Sequence, residues 1–151
     1  MIKNVITEIK EKMDATCTIL TDLVYQTENI STQEFYDYLT GEIFSEDTTT
    51  LQDILDSAYL MIHELVEISE LKKRGIKIHK HVIVESPKEV IYNAHFVAQE
   101  FEMDYALKKK DYAWVKRRLR DHRNVLFDDP NLPEKMKPIA QRIYDKFSRK
   151  V

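Results

Sequence analysis

The sequence predicts an all-α protein, and three observations carry that prediction. Glycine occurs only twice in 151 residues, at Gly41 and Gly75, where average usage of about 7% would give roughly ten. Sheets and tight turns draw on glycine for positive φ, so its scarcity favours long helices with few connections. Apolar residues recur every three or four positions through most of the chain, the period of a helix face. Helix-start signals precede several of these runs. Together they predict an up-down helical bundle of four main helices plus one short helix, in one domain over residues 1–151.

The elements follow in order. Ile2, Ile6, Ile9, Met13, Cys17, Leu20 and Val24 form one stripe, predicting a helix over about residues 2–27. Ser31 followed by Glu34 is a capping box that starts a short helix with Phe35, Tyr38 and Leu39 inward, ended near Gly41. The acidic, Thr-rich stretch 45–50 is a loop. Thr49 with Gln52 is expected to cap a helix whose inner face is Leu51, Ile54, Ala58, Met61, Leu65 and Ile68, and which ends in Lys72-Lys73-Arg74-Gly75. Residues 76–84 are rich in Ile and Val and begin with alternation, which predicts an extended crossover rather than a helix. Ser86-Pro87-Lys88-Glu89 reads as a Ser cap with Pro in the first helical position, opening a helix to about Lys109. Asp111 caps a helix carrying Tyr112, Val115, Leu119, His122 and Leu126, and Asn131-Leu132-Pro133 opens the last one, with Met136, Ile139, Ile143 and Phe147 inward.

The helix over 87–109 has apolar residues on two sides. Val90, Ala94, Val97, Ala98, Phe101 and Tyr105 make the expected stripe, and Tyr92, Phe96, Met103 and Leu107 gather opposite. Either the chain covers this second face itself or a second copy does. The second alternative predicts a homodimer through those four residues.

Charge is sorted along the chain. Residues 1–70 hold 3 Lys and Arg against 15 Asp and Glu, and residues 71–151 hold 20 against 11. The cationic excess is concentrated in 108–123, where eight Lys and Arg stand among Tyr112 and Trp114. A cationic helix with aromatics can neutralise phosphates and stack on bases, which makes Lys116, Arg117, Arg120, His122 and Arg123 the candidate residues for an anionic ligand or nucleic acid. The competing expectation is that these cations pair with the acidic half of the same chain.

Arg117 and His122 also resemble the signature of HEPN ribonucleases, an Arg and a His separated by four to six residues. That resemblance spans six residues and implies a dimeric helical bundle whose Arg and His face an RNA phosphodiester. The residue after the Arg is here Arg118. The stretch Arg118-Leu119-Arg120-Asp121 with Leu126-Phe127 is similar to a nucleotide-binding stretch of cobalamin adenosyltransferases, with Arg in place of its Ser.

The remaining chemistry reads as absent. His63-Glu64-x-x-Glu67 has an order different from the Glu-x-x-His of di-metal bundles. The wheel sets His63 and Glu67 away from the Leu65 stripe, as a surface pair one turn apart. His95 and Glu102 flank the core stripe of their own helix, and His79-Lys80-His81 reads as a solvated loop. No metal site and no cofactor are therefore expected. Cys17, the only cysteine, lies on an apolar stripe and excludes an intrachain disulfide. There is no phosphate-binding glycine loop and no nucleophile elbow. No run approaches the roughly 18 apolar residues of a membrane span, and the first residues lack a signal-peptide core, so the expected location is the cytoplasm. The leading functional expectation is a helical protein acting through association, without evident catalysis. The alternative is an anionic-ligand or nucleic-acid binder, HEPN-like or nucleotide-binding, using residues 108–123.

Overall fold

The computed structural model describes residues 2–45 and 47–151. The side chain of Ile2 in the first stripe, and Glu46 in the acidic loop, lie outside that description. The described residues are all-helical: α1 (Ile2–Asp22), α2 (Thr32–Thr40), α3 (Leu51–Leu55), α4 (Ala58–Lys73), α5 (Val82–Glu85), α6 (Lys88–Lys108), α7 (Tyr112–Asp128) and α8 (Lys137–Ser148), the last preceded by a 3₁₀ turn at Glu134–Met136. The central pair is α4 and α6, which pack along each other. Helices α1, α2 and α3 lie against α4, while α7 and α8 lie against α6.

Capping decides several boundaries. The Ser31–Glu34 box forms as expected, with both reciprocal hydrogen bonds. One box is shifted by a residue: Thr50 with Asp53, not Thr49 with Gln52, starts α3. The helix expected from Leu51 onward breaks at Asp56-Ser57, where the Ser57 hydroxyl accepts from the Leu60 N–H and caps α4 anew. Ser86 does not cap α6; it is extended, and Pro87 itself stands at the cap position.

Helices α1, α4 and α6 end in the same way. Each closes with paired six-to-one and five-to-two backbone hydrogen bonds around a left-handed residue: Val24 (φ 58°), Gly75 (φ 79°) and Lys110 (φ 59°). This stops α1 at Asp22, short of the expected residue 27. Glycine is the residue suited to that conformation, and a β-branched side chain is strained there. Val24 is 92% exposed, so its side chain contributes no packing. Val24→Gly is expected to stabilise the fold by about 1 kcal/mol, the left-handed penalty less glycine's extra unfolded-state entropy. A rise in the urea midpoint at unchanged m would show it, and a fall would contradict it.

The crossover departs from the extended reading. Ile76–His79 carry no helix, but Val82–Glu85 form a helical turn, and there is no strand among the described residues. Ile78 and Val82 are both buried, and the turn satisfies its backbone locally, with the Glu85 and Ser86 N–H groups donating to the His81 and Val82 carbonyls, which an unpartnered strand would not. The crossover is tied to the end of α2 by the Glu42 N–H donating to the Lys80 carbonyl at 2.8 Å. A Cβ on Gly41 would lie 2.3 Å from that same Lys80 oxygen. Gly41→Ala is therefore expected to destabilise by about 1–3 kcal/mol, because the obstructing atom is backbone. An unchanged urea midpoint would contradict the close approach.

Two apolar clusters flank the central pair. One joins Ile9, Leu20, Phe35, Leu55, Ile62 and Leu71 with Ala94 and Ala98 of α6. The other joins Tyr92, Phe96 and Met103 of α6 with Val115, Leu119, Ile143 and Phe147. The second apolar face of α6 is thus covered within the chain: Tyr92, Phe96 and Met103 are buried, and Leu107 packs against the same cluster. The surplus that suggested a homodimer through these residues is satisfied by α7 and α8. No described helix is long and apolar enough to cross a membrane.

Candidate metal centre

Where α4, α6 and α7 meet, the interior is polar. The buried residues there are His63 and Glu67 from α4, Gln99 and Glu102 from α6, and His122 from α7. This corrects the surface placement of His63 and Glu67. Helix α4 is covered on several sides, by α1, α2 and α3 as well as by α6, so a residue off the Leu65 stripe still faces protein.

The anchor of the network is Glu102, which is fully buried. It accepts from the Trp114 indole N–H at 2.7 Å and from Arg118 Nη2 at 3.1 Å, and Arg118 Nε lies 2.7 Å from its other oxygen as an ion-pair contact. Its Oε1 also accepts from His63 Nδ1 at 2.9 Å. Burial alone would raise the Glu102 carboxyl, but the His63 hydrogen bond and the Arg118 charge together hold it below the usual carboxylate range. Burial also depresses His63, keeping the ring neutral. A neutral ring that donates from Nδ1 leaves the Nε2 lone pair as an acceptor, and His95 Nδ1 is its partner.

That lone pair points to where a ligand set converges. His63 Nε2 lies 3.1 Å from His95 Nδ1 and 3.8 Å from Glu67 Oε2, and His95 Nδ1 is 3.7 Å from Glu67 Oε1. One donor atom from each of the three residues falls in a single group within 4.8 Å. Donors bound at about 2.0–2.2 Å around a tetrahedral ion stand roughly 3.3 Å apart; the His63–His95 edge is close to that, while the two Glu67 edges run to different carboxylate oxygens, so the carboxylate must draw in to complete a site for one ion. The Glu102–His63 bond is the outer-shell carboxylate that fixes ring orientation and tautomer in metal-binding histidines. Burial pushes the Glu67 carboxyl up, but its hydrogen bond to His95 brings it below the usual range. Its neighbour Glu64 is raised well above that range by burial and by the Glu67 charge beside it.

The other sequence candidates separate. His122 is buried, with Nδ1 2.7 Å from the Gln99 side-chain amide and Nε2 2.7 Å from the Ala140 carbonyl. Arg117 is exposed, its guanidinium over the Trp114 ring. The HEPN-like pair is therefore not brought together: its histidine has both nitrogens engaged in the core, and its arginine points elsewhere. Arg118, the first residue of the adenosyltransferase-like stretch, is occupied by Glu102. Lys116, Arg120 and Arg123 are exposed. His79 and His81 sit near the surface, each beside a glutamate, Glu85 and Glu42 respectively.

Burial lowers the His122 pKa, with the charges of His95 and Arg118 adding to that and the Ala140 hydrogen bond opposing it. The stability this neutral ring contributes is present above its unfolded value of about 6.5 and is lost as pH falls from there through the lowered folded value. Between pH 7.5 and 5.5 the wild type is expected to lose stability more steeply than His122→Gln in urea unfolding. Equal slopes would contradict this.

Fold and site together define an all-helical protein with a histidine–carboxylate centre between its two central helices. No family model, curated protein or solved structure matches the chain.

Proposed function

We propose that the protein binds one divalent first-row transition ion through His63 Nε2, Glu67 and His95 Nδ1. The observation that carries this reading is the Glu102–His63 hydrogen bond, which turns the second ring nitrogen toward two further donors, one atom of each residue lying within 4.8 Å of the others. Two imidazoles and one carboxylate suit Zn²⁺ or Fe²⁺ rather than Ca²⁺ or Mg²⁺, which prefer all-oxygen sets. Three protein ligands leave a coordination position for water, the arrangement of catalytic rather than purely structural zinc. His95 is the most exposed of the three, its side chain 29% accessible, and it marks the side from which an ion enters.

Co²⁺ provides the test, because its visible ligand-field bands report coordination directly. Wild-type protein is expected to develop these bands saturably, and His95→Ala to lack them. Absent bands, or bands unchanged in that variant, would refute the reading.

A further inference from the structure

We propose that the groove between α7 and α8 binds the phosphodiester backbone of a single-stranded nucleic acid. The groove has a volume of about 340 Å³ and is lined by Lys116, Leu119, Arg120, Arg123 and Tyr144, with no acidic residue in its walls. Lys116, Arg120 and Arg123 stand at four- and three-residue intervals on one face of α7. That gives a row of cations about 6 and 4.5 Å apart along the axis.

These cations are not used by the fold. Among the described residues none of the three has a carboxylate within ion-pair distance, whereas Arg118, on the opposite side of the same helix, is bound to Glu102 and Asp121. The acidic first third of the chain is not available to them. Helix α1 packs on α4, α2 and α3, while α7 packs on α6 and α8. The charge split in the sequence is thus a split in space, with the central pair between its halves. Arg142 on α8, with Arg149 and Lys150 just past its end, lines a separate depression that also holds Asp145.

A single strand fits this face better than the alternatives. A helix that reads duplex DNA must project into a major groove about 12 Å wide, and α7 is flanked by α8 along the groove instead. Guanidinium forks match phosphate oxygens, and Tyr144 in the groove wall offers an aromatic face for a base, the combination that single-strand binders use.

Binding of a fluorescein-labelled 12-nucleotide single strand is to be followed by anisotropy between 50 and 200 mM salt. EDTA in the buffer keeps the result separate from metal binding. Three phosphate contacts predict a slope of log K against log salt of about −2. The triple variant Lys116→Ala/Arg120→Ala/Arg123→Ala is expected to bind at least tenfold more weakly with a flatter slope. All three residues are exposed, and Arg120→Glu alone serves if the triple variant folds poorly. No binding at 50 mM salt would overturn the proposal. So would undiminished binding by the variants, or equal binding of a duplex or of polyglutamate.

Discussion

Arg118→Ala is expected to destabilise the protein by about 3–5 kcal/mol, the effect of leaving one partner of a buried ion pair uncompensated. Arg118 holds both oxygens of Glu102, and Glu102 is fully buried. With the guanidinium gone, the carboxylate keeps only the Trp114 and His63 hydrogen bonds and no formal positive charge beside it. Arg118→Lys is expected to recover only part of the loss, because a compact ammonium, more strongly hydrated than a guanidinium, is costlier to bury beside the carboxylate. The double change Arg118→Met/Glu102→Leu is expected to cost less than Arg118→Ala, since it removes the buried charge along with its partner. Urea unfolding followed by Trp114 fluorescence and circular dichroism measures all three. A loss below about 1 kcal/mol for Arg118→Ala would show that Glu102 is not held as an ionised group by Arg118.

The second large effect is stabilisation by metal. An ion that binds the folded chain and not the unfolded one adds about 4 kcal/mol when present at a thousand times its dissociation constant. Zn²⁺ is therefore expected to raise the thermal midpoint of the wild type by several degrees and to leave that of His95→Ala unmoved. Glu102→Gln keeps the three ligands but weakens the acceptor that fixes the His63 ring. It is expected to bind metal about 10–100-fold more weakly, the usual effect of losing an outer-shell partner. A Glu102→Gln protein with unaltered affinity would separate the Glu102–His63 bond from the site.

Much of the fold was legible in the residues. The Ser31–Glu34 box, the Asp111 cap and the Gly75 terminus each mark a boundary with a local signal, and local signals survive folding. The Asp56-Ser57 break was missed because the apolar stripe runs through it. The helical turn at Val82–Glu85 has no cap signal in the sequence, and its run of Val and Ile reads as extended. The burial of His63 and Glu67 was hidden for a different reason. A helical wheel assigns solvent to whatever lies off the main stripe, and that holds only for a helix covered on one side. Both central helices break this rule. Leu60 and Leu71 lie off the stripe of α4, and Tyr92, Phe96 and Met103 lie opposite that of α6. Two neighbouring helices with apolar residues all round leave no outer face for His63, Glu67 or Glu102. That pattern is the available signal: it marks both helices as covered on several sides. The basic segment was read correctly as a concentration of cations, but the sequence could not divide it. Arg118 turns inward to Glu102 and His122 to Ala140, while Lys116, Arg120 and Arg123 stay in solvent.

The central claim, that His63, Glu67 and His95 form one metal site, is tested most directly by metal content. Protein loaded with Zn²⁺ or anaerobic Fe²⁺ and passed through a desalting column is to be assayed by elemental analysis, alongside His95→Ala and Glu67→Gln. One ion retained per wild-type chain, and close to none in either variant, is the predicted result. No retained ion in the wild type, or equal retention in the variants, would contradict it.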